Sequence, residues 1–132
     1  MKKLIVIFFL SFFSNIVWEN LHSLLYSNYS GGLITQTILI RAALWDAVII
    51  VLICLPFLYI DGLRKKSWLV IVFGVVIAII IELYALDTGR WAYNAYMPII
   101  PIIKIGLTPT IQLGVLAYLS FLFQRKLFNE LT

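Results

Sequence analysis

Charge is what this sequence has least of. Only 12% of its 132 residues are Asp, Glu, Lys or Arg, while 63% are hydrophobic. Soluble domains run at about 25% charged and roughly 45–50% apolar. A chain this short and this apolar cannot bury its hydrophobic surface against itself. That excludes a water-soluble globular domain and calls for a bilayer as the missing apolar solvent.

Other absences narrow the chemistry. One cysteine, Cys54, excludes an internal disulfide. It lies in an apolar run, where a thiol packs as a small hydrophobe. One histidine, His22, excludes a Cys/His zinc site within the chain. No metal and no cofactor is expected. There is no glycine-rich phosphate loop and no nucleophile motif, and Ser23 beside His22 is not a triad. Ten Lys and Arg outweigh six Asp and Glu, a net charge of +4. The basic residues fall in short clusters between apolar runs, not in a stripe, so nucleic acid is not the expected partner. No repeat, low-complexity tract or linker divides the chain, which reads as a single transmembrane domain over residues 1–132.

What is present in quantity is long apolar sequence. Four spans are predicted, over about residues 4–24, 34–60, 67–86 and 109–124. The runs are continuous and do not alternate, which favours helices over barrel strands. The first resembles a signal peptide, with Lys2 and Lys3 ahead of an apolar core. Ser14, Asn15 and Trp18 make a poor cleavage site, so an uncleaved anchor is expected. Lys2 and Lys3, then Arg64, Lys65 and Lys66, then Arg125 and Lys126 fall on one side of a four-span chain. The positive-inside rule puts that side, with both termini, in the cytoplasm. The expected fold is all-α: a polytopic, up-down four-transmembrane-helix bundle in the cell (plasma or inner) membrane.

Local signals mark the boundaries. Asp61-Gly62 predicts a short turn, Gly89 a helix C-terminus, and Thr108-Pro109 an N-cap with proline at the first helical position. Pro56 is expected to kink the second span. Two outer loops, roughly 26–33 and 88–108, carry aromatic residues suited to the membrane interface. Met97 to Ile103 is too short to span and is expected to lie in the interface or re-enter. Asn28-Tyr29-Ser30 matches a glycosylation sequon, relevant only in a secretory pathway.

Against this background a few polar residues stand out. Glu82 ends an uncharged run from Trp68 to Ile81, and a carboxylate at membrane depth is costly unless paired or functional. Asn15, Glu19, His22 and Tyr26 are spaced four, three and four apart, which puts them on one helix face. Thr35, Ile38, Ala42, Trp45 and Asp46 share a face of the second span. Glu19, Asp46, Glu82 and Gln112 all fall in the non-cytoplasmic half. The predicted ligand-binding set is Glu19, His22, Arg41, Trp45, Asp46, Glu82, Arg90, Trp91 and Gln112. Glu19, His22 and Glu82 are the candidate acid–base groups, and Trp18, Trp45 and Trp91 the candidate walls. A plainer reading stands beside this one. Arg41 can snorkel to the interface, Asp87 can pair with Arg90 at the surface, and the whole set can be a packing network.

Four functions fit. The first is a pocket for a lipid-like or amphipathic molecule, with carboxylates and aromatics suiting a cationic or polyhydroxylated head group. The second is an enzyme on a lipid or isoprenoid-type substrate. The third is proton-coupled transport by an oligomer, and the fourth is assembly with another membrane protein. The expected partners are membrane lipids, a lipid-like small molecule, and a second copy or another membrane protein.

The pieces Trp18-Glu19-Asn20-Leu21-His22-Ser23, Leu44-Trp45-Asp46 and Gly89-Arg90-Trp91-Ala92-Tyr93 with Met97-Pro98 resemble small, uncharacterised prokaryotic four-span membrane proteins. That resemblance implies membrane location and no particular activity. The architecture is also similar to the emopamil-binding (EXPERA) superfamily, whose four-helix bundles carry acidic residues in a sterol or amphiphile pocket. It implies a pocket of that kind and carries over no catalytic residue.

Overall fold

A computed structural model describes residues 1–130. Helix α1 runs Lys2–His22 and ends in a tight turn over Ser23–Leu25, and strand β1 follows over Tyr26–Tyr29. Helix α2 spans Gln36–Tyr59, the short α3 Asp61–Arg64, and α4 Leu69–Asp87. Strand β2 covers Trp91–Tyr93 and helix α5 Leu107–Glu130. Four helices are long and apolar enough to cross a membrane: Lys2–Leu25, Gln36–Tyr59, Leu69–Asp87 and Leu107–Asn129.

Helix α1 is built inside out relative to a helix of a soluble bundle. On α1 the buried positions are Ile7, Ser11, Asn15, Glu19 and His22. Ile5, Phe9, Phe13, Val17 and Leu21 are exposed. Both sets recur every three or four residues, so one face is polar and inward while the opposite face is large, apolar and outward. Water would not tolerate an exposed apolar surface of this extent, and hydrocarbon does. Helix α4 instead buries an apolar stripe of mostly small residues, Val70, Gly74, Ala78 and Ala85, broken by Glu82. Phe73, Val76, Ile80 and Leu83 face out.

Small residues set the tightest helix contact. A Cβ on Gly114 would lie 2.7 Å from the Ile71 carbonyl oxygen, and one on Gly74 would collide with the Gly114 backbone. Only two glycines allow α4 and α5 to approach this closely. Helix α1 packs on α2 and α5, and α5 on α4. Helices α2 and α4 meet at one end, where Phe57 packs against Phe73 at 6.0 Å and against Phe121 at 6.3 Å between ring centroids. Toward the other end their facing surfaces line a cavity.

The loops depart from expectation in an informative way. The two segments read as separate loops pair as antiparallel strands, with Tyr29 opposite Trp91 and Tyr26 opposite Tyr93. Gly89 does end α4, at φ +70°. Arg90 N–H donates to the Ala85 carbonyl and Gly89 N–H to Leu86, a Schellman closure that satisfies two terminal carbonyls. Asp61-Gly62 opens a short helix, not a bare turn. Helix α5 begins at Leu107, one residue before the expected cap, which moves Pro109 to its third position. Met97 and Ile105 of the long loop are buried, while Pro101 and Ile102 are exposed.

Candidate functional site

The late residues of α1 and α4 meet the early residues of α2 and α5 at one end of the bundle. On α1, the Asn15 side-chain N–H donates to the Ser11 carbonyl at 2.8 Å. That commits the Asn15 Oδ1 to the bundle interior, where it accepts from Gln112 Nε2 at 2.8 Å. The same nitrogen lies 2.7 Å from Glu19 Oε1 and 3.0 Å from Asp46 Oδ2. One amide nitrogen carries two hydrogens. Three acceptors therefore converge on two donors, and the centre is acceptor-rich. Glu19 completes its coordination with His22 Nε2 at 3.1 Å. His22 Nδ1 approaches Thr108 Oγ1 at 3.5 Å.

Glu82 belongs to a second group. It accepts from Trp91 Nε1 at 3.2 Å and from the Tyr93 hydroxyl. The Tyr93 oxygen accepts in turn from Gly106 N–H at 3.0 Å. One buried carboxylate thus ties β2 to α4 and to the loop entering α5. Burial and then the Glu82 carboxylate push the Tyr93 phenol above its usual range. Tyr26 joins the two groups, packing edge-on against His22 at 5.2 Å and Tyr93 at 5.3 Å. Burial, and then the negative charge of Glu82, push its phenol up as well.

Above these groups is a cavity of about 710 Å³. Its walls come from Ile38, Ala42 and Ile49 of α2 and Ala78 and Ile81 of α4, and Tyr26, Tyr29 and Trp91 cover it from the strands. Trp45 lines it and is still 63% exposed. Trp45 lies nine residues into α2, about 14 Å along the helix axis.

All nine residues singled out in the sequence line this cavity. Trp18 does not line it; it packs against the hydrophobic core. Asp87 and Arg90 do not form the expected pair. Among the described residues the ion pairs are His22–Glu19 and Arg64–Asp61. Arg90 instead turns toward Tyr29, whose phenol it holds below the usual range, with burial opposing and Arg41 helping. The predicted binding set left out Asn15 and Tyr26, which helix spacing had grouped with Glu19 and His22, and it left out Tyr29 and Tyr93. Asn15 was legible, four residues before Glu19 on the same face. Tyr29 and Tyr93 depend on strand pairing across more than sixty residues, which no local pattern carries. Among the described residues no group of three or more His, Cys, Asp or Glu has metal-holding geometry. No protein-family model, curated protein or solved structure matches this chain significantly.

Proposed function

We propose that this chain is an up-down four-span protein of the cell membrane, with both termini cytoplasmic, that binds a lipid-like amphiphile in the outer half of its bundle. The observation carrying this reading is the cavity itself. Its walls are largely apolar, its floor is the hydrogen-bonded Glu19–Gln112–Asp46 group, and the exposed Trp45 lines its side. A tail can enter from the bilayer while polar atoms reach the floor. The orientation is supported by the three basic clusters, which all belong to the end opposite the cavity.

The test is native mass spectrometry and lipid analysis of the purified protein beside the Ala42→Trp variant, which fills the cavity from α2. A co-purifying amphiphile present in the wild type and lost in the variant supports the reading. An identical molecular profile in both overturns it. Thiol labelling of cysteines placed at Tyr96 and Leu63, from opposite sides of sealed vesicles, tests the topology.

The Glu19–His22 pair on the cavity wall favours one further reading, an enzyme that moves a proton on the bound molecule. Deuterium from solvent would then enter the ligand, and Glu19→Gln would stop it. An unlabelled ligand after prolonged incubation rejects the enzyme and leaves binding intact.

A further inference from the structure

We propose that the mouth of the cavity is an anion site, and that the amphiphile it takes carries a phosphate or carboxylate head group; this deepens the pocket reading and rests on it. Arg41 lies in the second turn of α2, and Arg90 directly follows the glycine that closes α4. Both line the cavity, as does Tyr29, and the positive charge of both favours its phenolate. Two guanidinium groups thus line one cavity, one from α2 and one from the turn after α4.

The nearby carboxylates do not neutralise them. Among the described residues neither arginine forms an ion pair. Asp46 is engaged by Gln112, and Glu82 by Trp91 and Tyr93. Two like charges lining one cavity repel, and an anion bound there would remove that repulsion. Planar guanidinium forks match the oxygen spacing of phosphate and carboxylate.

The order of groups along α2 fixes the ligand's orientation. Asp46 lies about 7.5 Å deeper than Arg41. The anion stays at the mouth, where the two guanidinium groups lie. A hydroxyl or another donor one turn deeper meets the acceptor-rich floor, and the tail leaves past Trp45. Arg41 alone would also meet bulk lipid phosphate by snorkelling. A directed site differs in needing Arg90 as well.

The test measures quenching of tryptophan fluorescence by four probes in uncharged maltoside micelles: hexadecyl phosphate, hexadecanoate, hexadecanol and hexadecyltrimethylammonium. An anionic probe should bind roughly tenfold tighter than hexadecanol, the effect of one charge-assisted hydrogen bond. Arg41→Gln/Arg90→Gln should abolish that preference, so that the variant binds hexadecyl phosphate no tighter than it binds hexadecanol. If the double variant does not fold, Arg90→Gln on the exposed loop carries the same test. Tightest binding of the trimethylammonium probe, or a preference that survives the arginine changes, overturns the anion site. Equal binding of phosphate and alcohol probes that Ala42→Trp abolishes also overturns it, while the pocket stands. No binding of any probe, in wild type and Ala42→Trp alike, overturns the pocket itself. Inorganic phosphate that displaces hexadecyl phosphate at equal concentration assigns the site to a free anion and overturns the amphiphile.

Discussion

Gln112 on α5 and Glu19 on α1 stand 93 positions apart in the chain and share a hydrogen bond of 2.7 Å. Through the same nitrogen Gln112 also serves Asn15 and Asp46, so three acceptors on two helices depend on one side chain. Gln112→Leu should cost about 2–4 kcal/mol, because it strands buried acceptors, two of them carboxylates. Gln112→Glu should be no better, since it replaces the shared donor with a further acceptor. Unfolding by titration with sodium dodecyl sulfate measures both. A loss under about 1 kcal/mol for Gln112→Leu would mean that water already satisfies these acceptors.

The α4–α5 crossing predicts a second sensitive point. Gly74→Ala places a methyl group into the Gly114 backbone, which cannot yield as a flexible side chain does. The helices must separate, at about 1–3 kcal/mol for the overpacking alone. Gly62→Ala is the control, because nothing lies within 4 Å of its added methyl. Equal stabilities of the two variants would show that the crossing is looser than described.

Glu82 fastens the strand pair through Trp91 and Tyr93. Tyr93→Phe removes one charge-assisted bond, worth about 1.5–3 kcal/mol, and leaves Gly106 N–H without its acceptor. Amide exchange over residues 26–29 and 91–93 should accelerate, while exchange in the middle of α1 stays unchanged. Acceleration spread evenly over the helices would mean that Glu82 holds the bundle and not the strands.

Tyr29 should ionise at lower pH than an ordinary phenol. Arg90, and more weakly Arg41, favour its charged form, so the pKa falls. Tyr93 is shifted the opposite way by burial and by Glu82. Ultraviolet titration should therefore show an early phenolate that disappears in Tyr29→Phe and moves up in Arg90→Gln. A wild-type curve unaffected by Arg90→Gln would separate the two side chains.

Much of this was readable in the chain because bilayers impose a simple code. Continuous apolar runs give helices, and the three-and-four spacing of Asn15, Glu19 and His22 gives the inward face before any contact is known. Glu82 could be flagged by cost alone. Its partners could not, because Trp91 and Tyr93 reach it only once the strands pair. Likewise, Asp87 and Arg90 are three apart and suggest a surface pair, but the left-handed glycine between them turns Arg90 away. Local spacing carries helix faces well; it is silent on what a turn does to the next side chain.

Phe57, wedged between Phe73 and Phe121, gives α2 a fixed end. Pro56 beside it removes the N–H that would bond the Leu52 carbonyl, which softens the helix at that level. Trp45 lies twelve residues away, about 18 Å along the lever arm, so a tilt of about 5° moves it by about 1.5 Å. A helix pivoted at one end changes its tilt with bilayer thickness. The width of the gap beside Trp45 then becomes a property of the surrounding membrane as much as of the chain, and the thickness of the host lipid becomes an experimental dial on how readily anything enters.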